Sequence, residues 1–281
     1  MNAEKTNAEQ IEFWNGKAGQ KWADFQPALD TMMDPLGLQA IQEASPGSED
    51  HVLDVGCGCG STSMQLSQLA AKVTGIDISG PMLEIAKSRL ASDGVTFELA
   101  DAAVHSFQRN SFDLIFSRFG VMFFADPVAA FSNLRTSLKA HGRLCFLCWR
   151  AIDENPWMMV PLTTVLQFVS PPEPAQPGSP GPFAFADVEH VRSILEQAEF
   201  QAIEFKPLDS SISVGTGEEL QESLTFLEKI GPVAALIADQ SQQVIAQIRA
   251  ALLTTLKEHQ TPEGIRMGAA CWIVSAQNGV A

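Results

Sequence analysis

Residues 52–61 read VLDVGCGCGS, a short apolar run of the kind found in buried strands, followed by glycines at every second position. Glycine adopts positive φ without strain and lets the backbone approach a bound group closely. When such a loop follows the first strand of an open parallel sheet, it lies at the carboxyl edge, where ligands bind. The stretch therefore predicts a parallel α/β sheet with a binding site at its first strand-to-helix turn.

Apolar runs of β type alternate with helical patterns after this stretch. They occupy residues 72–78, 95–101, 112–119 and 142–149, and two later runs occupy residues 202–214 and 267–276. Such alternation indicates a parallel sheet covered by helices on both faces. We therefore predict an α/β fold with a doubly wound, mainly parallel, seven-stranded Rossmann-like sheet, helices on both faces, an antiparallel edge strand and a helical cap.

The pattern also predicts how the chain is divided. Residues 1–45 are expected to form an N-terminal helical lid, and residues 46–150 a Rossmann-like binding core. Residues 151–186, which include the proline-rich stretch 171–182, are expected to form a cap insertion, because closely spaced prolines cannot build a regular element. Residues 187–281 would complete the core and carry a helical insertion at 218–260.

Charge and hydropathy argue against several classes of partner. The formal net charge of −15 is repulsive toward nucleic acid and anionic membranes. The polar start of the chain does not resemble a secretion signal, and no uncharged apolar run is long enough to span a bilayer. We therefore expect a cytoplasmic protein that binds neither nucleic acid nor membrane.

The cysteines do not predict a metal site. Cys57 and Cys59 lie inside the glycine loop, and Cys145 and Cys148 lie in an apolar strand, where residues three apart point to opposite faces. Four thiolates could not converge on one zinc ion from these positions. We expect no metal and five reduced, mostly buried thiols.

The residues around the glycine loop restrict its ligand. No lysine or arginine occurs from residue 52 to residue 71, which excludes a nucleoside triphosphate loop, and Ser61 and Ser63 stand where a dinucleotide loop needs its third glycine. A carboxylate, Asp54, precedes the first glycine and would attract a cationic or zwitterionic ligand. Asp77 and Asp101 end the next two predicted strands, where they could bind a ribose diol and an adenine amino group.

The segments VLDVGCGCG, GIDIS, ADA and FDLIFS together closely resemble the class I S-adenosylmethionine-dependent methyltransferases, strongly over residues 52–150. The resemblance implies S-adenosylmethionine as cofactor, with the glycine loop under its methionine part and a tryptophan of the segment FWNGKAGQKW over it. The cofactor-binding residues that it implies are Trp22, Asp54, Gly56, Gly58, Gly60, Asp77, Ile78, Met82, Asp101, Ala102 and Ser117. Trp14 is the alternative to Trp22 in the lid.

The resemblance further implies a small-molecule acceptor. The chain has Ser117-Arg118-Phe119-Gly120 where members that methylate nucleic acid bases carry an Asn/Asp-Pro-Pro-Tyr/Phe motif. The residues expected to bind the acceptor are Arg118, Phe119, Met122 and Trp157, with Arg118 either meeting an acidic substrate group or forming a structural ion pair. No residue is assigned as a catalytic base, and the oligomeric state is left open.

The expected function is methyl transfer to O, N or C of a small apolar or aromatic metabolite. Two other readings use the same cofactor pocket: an enzyme that catalyses a cyclisation or rearrangement without methyl transfer, and a non-catalytic partner that binds the cofactor. A nicotinamide-dependent dehydrogenase is the remaining alternative, and a comparison of the two cofactors by calorimetry distinguishes it.

Overall fold

The computed structural model describes residues 3–90, 93–173, 176 and 178–279. Residues 174, 175 and 177 of the proline-rich stretch lie outside the described residues. The strands of the described chain are β1 His51–Val55, β2 Lys72–Asp77, β3 Val95–Leu99, β4 Phe112–Arg118, β5 Leu138–Trp149, β6 Phe200–Ser213, β7 Gln260–Thr261 and β8 Gly264–Asn278.

The strands form one sheet in the order β3-β2-β1-β4-β5-β8-β6, and the short strand β7 pairs with β8. The pairs from β3 to β5 are all parallel. β8 is antiparallel to both β5 and β6. The predicted α/β fold with a mainly parallel sheet is confirmed, and its antiparallel strand is β8, which lies one position in from the edge strand β6.

The helices follow the predicted alternation. They are α1 Ala3–Asn15, α2 Lys17–Asp24, α3 Gln26–Ala44, α4 Ser61–Leu66, α5 Gly80–Ser88, α6 Pro127–Ser137, α7 Pro156–Val165, α8 Val188–Gln197, α9 Leu220–Lys229, α10 Gly231–Ile237 and α11 Gln242–Glu258. Side chains cap several amino termini, for example Asp126, which accepts a hydrogen bond from the amide of Ala129 at 2.9 Å, and Asp187, which accepts one from His190 at 2.9 Å. Such caps satisfy helix amides that have no intrahelical acceptor.

The central strands are apolar throughout because helices cover both of their faces. Leu114, Ile115 and Phe116 of β4 are fully buried, and so are the residues of β5 from Leu144 to Cys148. A parallel strand that is covered on both sides has no solvent face and therefore shows no alternation of polar residues. This packing holds the carboxyl ends of β1, β2 and β4 at one edge of the sheet.

The two predicted helical segments lie in different places. Helices α1 to α3 form the N-terminal lid, and α2 packs against α5 beside the β2 turn. Helix α7, from the predicted cap, packs against α10, α11 and β8 instead. The division of the chain into four segments remains a prediction. Among the described residues, no helix is long and apolar enough to cross a bilayer.

Candidate active site

A cavity opens at the carboxyl edge of the sheet, between the glycine loop and the lid. Its walls come from the turns after β1, β2, β3 and β4 and from helices α1 to α3. The predicted residues that line it are Trp22, Gly56, Gly58, Asp77, Ile78, Met82, Asp101, Ala102, Arg118 and Phe119. The fold thus brings together groups that are as far apart in the sequence as Trp22 and Phe119.

The three glycines of the loop share a positive φ but differ in what surrounds them. Gly56, Gly58 and Gly60 have φ of 69°, 54° and 84°, which side-chain-bearing residues rarely adopt. A Cβ on Gly56 would lie 2.8 Å from the Cα of Gly120, and one on Gly60 would lie 2.7 Å from the ring of Phe97. A Cβ on Gly58 would meet only the Met82 sulfur, in ordinary contact at 3.8 Å, and Gly60 lies outside the cavity wall. Gly60 therefore serves packing and not direct contact with a ligand.

Asp77 joins the glycine loop to the turn after β2. Its Oδ2 accepts the amide hydrogen of Gly58 at 2.8 Å, and its Oδ1 accepts that of Ser79 at 2.8 Å. Burial raises the pKa of this carboxyl, although the amides of Ser79 and Gly58 oppose the shift. Each carboxylate oxygen has a second lone pair, so Asp77 can still accept hydrogen bonds from a ligand in the cavity.

Asp54 does not line the cavity, contrary to expectation. It is 1% exposed, its Oδ2 accepts a hydrogen bond from the hydroxyl of Ser63 at 2.6 Å, and its Oδ1 is buried without a partner. Burial raises its pKa to about 6, although the Ser63 hydroxyl opposes the shift. The carboxyl lies beneath the glycine loop, where a ligand in the cavity does not touch it.

The segments after β2 and β3 also contribute to the cavity wall, through Ile78, Met82, Asp101 and Ala102. Met82 and Ala102 are each 5% exposed, and the Oδ1 of Asp101 accepts the amide hydrogen of Ala103 at 2.9 Å. Apolar side chains and a carboxylate at the ends of β2 and β3 suit a flat, apolar ring with a polar edge.

The turn after β4 places some predicted residues in the wall and others behind it. Ser117 is fully buried and donates to the carbonyl of Val55 at 2.7 Å, so it holds the strands together and does not line the cavity. Phe119 has φ of 61°, which is unusual for a bulky residue, and its ring stacks on Trp149 at 4.1 Å. Met122 is buried outside the cavity wall.

Trp157 also lies outside the wall, which corrects the expected role of the cap. Its ring is 5.1 Å from that of Trp149, on helix α7, and so it supports the stack behind Phe119. The lid supplies the missing wall. Trp14, Leu29 and Met33 line the cavity.

The lid is fastened to the turn after β2. The Asn15 side chain donates to the carbonyl of Ile78 at 2.8 Å and accepts the amide hydrogen of Gly80 at 3.0 Å. The Ser79 hydroxyl donates to the carbonyl of Trp14 at 2.7 Å. The ring of Trp14 meets those of Trp22 and Phe123 edge to face, with centroids 5.6 and 5.1 Å away. The lid is therefore fixed directly over the cavity.

Helix α3 is tied to the glycine loop by two acids that the sequence did not predict as site residues, Asp30 and Asp34, and the second of them forms an ion pair with Arg118, one of the two roles expected for that arginine. Asp30 pairs with Arg89 at 2.8 Å, and Arg89 donates to the carbonyl of Cys59 at 2.9 Å. Asp34 pairs with Arg118 at 2.6 Å and accepts a hydrogen bond from the Ser61 hydroxyl at 2.8 Å. The four-residue spacing of Asp30 and Asp34 on one helix face was the available signal.

The thiols in the wall are not poised to react. Burial raises the pKa of Cys59 to about 12 and that of Cys57 well above its usual value. Thiols of such high pKa stay protonated at neutral pH and are poor nucleophiles.

Comparisons with known proteins agree with this geometry. Residues 53–146 match the model of a methyltransferase domain. The ubiquinone biosynthesis O-methyltransferase of Histophilus somni is 30% identical over 149 residues, which cover 49% of this chain and 62% of that protein. The chain spans between 48% and 62% of the length of five curated relatives, about half for most of them.

Solved structures share the fold. A methyltransferase-like protein of Bacillus halodurans superposes with a TM-score of 0.56 at 16% identity, covering 87% of this chain and 99% of that one. The [4+2]-cyclase SpnF superposes with a TM-score of 0.52 at 19% identity, covering 88% and 81%. The domain match, the O-methyltransferase relatives and the shared fold agree with the glycine loop and the acids at the strand ends, and residues 53–146 are similar to the methyltransferase domain of S-adenosylmethionine-dependent methyltransferases.

Proposed function

We propose that the protein transfers a methyl group from S-adenosylmethionine to O, N or C of a small apolar or aromatic acceptor. The observation that carries this proposal is a cavity that combines two kinds of group. Asp77, the last residue of β2, and Asp101, two residues after β3, line it together with the rings of Trp14, Phe119 and Phe123. The acids suit a nucleoside, and the rings suit an apolar acceptor.

The residues present fit this cofactor. A Cβ on Gly58 would meet nothing closer than the Met82 sulfur at 3.8 Å, so the loop leaves room for a ligand to rest against the backbone. Asp77 would accept hydrogen bonds from the ribose hydroxyls. Ile78 and Met82 would hold the adenine between them, with Asp101 and Ala102 at its polar edge.

The lid adds an unused hydrogen-bond acceptor to the same cavity. Gln10 lines the wall one helical turn before Trp14, and its Oε1 is buried without a partner. A buried acceptor that lacks a donor is costly, so a ligand hydroxyl or amino group that reaches it gains affinity. This position is open to either the cofactor or the acceptor.

Bound S-adenosylmethionine supplies an electrophilic methyl group on a positively charged sulfur. The protein's task is then to align the acceptor and exclude water. The ring of Trp14 packs edge to face on Trp22 and Phe123 at the cavity wall, and Phe119 lines the same cavity with its ring stacked on Trp149. No histidine is found among the described residues that line the cavity, so the aligning role of these rings is the central one.

The acceptor is proposed to be a small molecule and not a nucleic acid, because the net charge of −15 repels polyphosphates. The apolar rings of the wall favour an aromatic or apolar compound over a sugar or peptide. The cytoplasmic location expected from the sequence remains a prediction.

The test begins with calorimetry, using S-adenosylhomocysteine as the probe and nicotinamide dinucleotide as the comparison. Asp77→Ala should weaken binding of S-adenosylhomocysteine by about 1–3 kcal/mol, the cost of leaving hydrogen-bonding groups unpaired. Asp113→Ala is a matched control, because Asp113 begins the opposite end of β4 and pairs with Lys139. Tight binding of the nicotinamide cofactor, or equal affinities of the two variants, would contradict the proposal.

The reaction is then tested by incubating the protein with S-adenosylmethionine and a panel of small phenols, amines and aromatic acids. The expected result is a product heavier by one methylene group, with formation of S-adenosylhomocysteine. A product of unchanged mass would identify the alternative, an enzyme of this fold that binds the cofactor without transferring its methyl group. Binding with no turnover of any candidate acceptor would favour the non-catalytic partner.

A further inference from the structure

We propose that Asp30 and Arg118 bind the amino-acid end of the cofactor, with the Asp30 carboxylate on its ammonium group and the Arg118 guanidinium on its carboxylate. The inference rests on the proposed function and assigns a part of the ligand that the strand-end acids leave unbound. Asp54, which the sequence predicted to attract a cationic or zwitterionic ligand, is buried outside the cavity.

The charges that line the cavity lead to this assignment. Among the described residues of its wall, the carboxylates are Asp30, Asp77 and Asp101, and Arg118 is the one cationic side chain. Asp77 and Asp101 lie at the ends of β2 and β3, on the nucleoside side. Asp30 and Arg118 are therefore the opposite charges that remain for a zwitterionic group next to the glycine loop.

Asp30 has an oxygen available for a ligand. Its hydrogen bonds from Arg89 and Gln26 both end on Oδ2, and its side chain is 16% exposed. Burial raises the pKa of this carboxyl, while the guanidinium of Arg89 opposes the shift. Burial removes water from this carboxylate. A ligand ammonium group bound to its Oδ1 would form a charge-assisted hydrogen bond in place of that water.

Arg118 also keeps donors after its contact with the lid. Its Nη1 bonds to Asp34 at 2.6 Å, and a guanidinium has five N–H donors, so others remain for a carboxylate. Its Cδ packs closely on Gly37 of α3, where an added Cβ would lie 2.9 Å away. The side chain is thus held in one position before any ligand arrives.

Two ion pairs form a frame beside the glycine loop, and this frame carries no net charge. Asp30 pairs with Arg89, and Asp34 pairs with Arg118, with the glycine loop held between them through Cys59 and Ser61. A neutral frame with separated charges favours a zwitterion over a ligand that bears a single charge. It therefore favours an intact amino-acid end over one that lacks its carboxylate.

The test compares two probes on the full chain by calorimetry. S-adenosylhomocysteine carries the whole amino-acid end, whereas 5′-methylthioadenosine shares the adenosine and sulfur but lacks that end. The wild type should prefer S-adenosylhomocysteine. Asp30→Asn and Arg118→Gln should each weaken its binding about tenfold to a hundredfold, the range for a hydrogen bond to a charged group, and leave methylthioadenosine within about twofold.

Two controls keep the result interpretable. Asp24→Asn changes an exposed lid carboxylate that bonds to Gln20 and should alter neither affinity. Decarboxylated S-adenosylmethionine should bind the wild type and Arg118→Gln equally, because it lacks the group that Arg118 binds. This second comparison uses a different ligand and therefore still tests the proposal if Asp30→Asn fails to fold.

Each contrary outcome has a distinct meaning. Equal weakening of both probes by Asp30→Asn would show that Asp30 only holds the lid, and unchanged affinities would place it at the acceptor, so either result overturns the assignment. A wild type that binds methylthioadenosine as tightly as S-adenosylhomocysteine overturns it too, while the proposed function stands. A wild type that binds neither probe refutes the proposed function and this inference with it.

Discussion

Replacing Asp54 by asparagine should change how the stability of the protein depends on pH. Burial raises the pKa of Asp54 from 3.8 to about 6, so the folded state binds its proton more tightly than the unfolded state does. The contribution of Asp54 to stability is therefore fully present below pH 4, declines as the pH rises through 6, and is lost above that. Asparagine does not titrate and removes this dependence.

The magnitude follows from the shift. About two pKa units at 1.36 kcal/mol each give roughly 3 kcal/mol, spread between pH 4 and pH 7. The assay is urea denaturation of wild type and Asp54→Asn at several pH values in that window, with the difference in unfolding free energy plotted against pH. The slope is the measured quantity, because a constant offset also contains the altered hydrogen bond to Ser63.

Asp113→Asn is the control, since its difference from the wild type should stay nearly flat from pH 4 to pH 7 and fall only in more acidic solution. Burial raises the pKa of Asp113, but the backbone amide of His51 and the ammonium of Lys139 outweigh it, and the net shift is downward. Its stabilising contribution is therefore present at neutral pH and is lost in acid. A difference between wild type and Asp54→Asn that stays constant from pH 4 to pH 7, or that grows in favour of the wild type, would refute the account of Asp54.

Other substitutions test the lid and the loop. Gly58→Val should abolish binding of S-adenosylhomocysteine in calorimetry and cost about 1–2 kcal/mol of stability, because it fills the cavity at φ of 54°. Asn15→Ala removes two hydrogen bonds to the turn after β2. It should increase hydrogen exchange in α1 and α2 and weaken binding of S-adenosylhomocysteine severalfold. Unchanged exchange would show that ring packing alone holds the lid. Gly120→Ala should lower stability by about 1–3 kcal/mol in thermal unfolding, since its Cβ would lie 2.8 Å from the carbonyl oxygen of Val55, and an unaltered melting temperature would contradict this.

The fold was predictable because its signals are local. Period-2 and continuous apolar runs mark the strands, and capping residues such as Asp126 and Asp187 mark helix starts. The place of β8 between β5 and β6 was not predictable from local signals, because the order of strands in a sheet depends on which sheet edges are free once the helices have packed. The strand predicted at residues 142–149 starts earlier in the structure, because β5 begins at Leu138 and includes a left-handed residue, His141.

Whether a predicted acid lines the cavity depends on its exact position in its strand. Asp77 is the last residue of β2 and lines the cavity, whereas Asp54 precedes the last residue of β1 and lies under the loop. Successive strand residues point to opposite faces, so an error of one position moves a side chain out of the cavity. Asp30 and Arg118 line the same cavity only because α3 docks beside the glycine loop, which a single helical pattern does not reveal.

The place of β8 in the sheet governs how the molecule assembles. β8 pairs with β5 on one side and β6 on the other, and its Gln277 lies opposite Arg143 of β5 and Gln201 of β6, so the pairing with β5 joins segments more than a hundred residues apart and the pairing with β6 joins segments more than fifty residues apart. During synthesis β6 emerges before the strand that links it to the sheet, and its backbone must wait with unpaired edges. Contacts of such long sequence separation form slowly. The parallel strands from β3 to β5 can consequently pair before β6 and β8 complete the other half of the sheet.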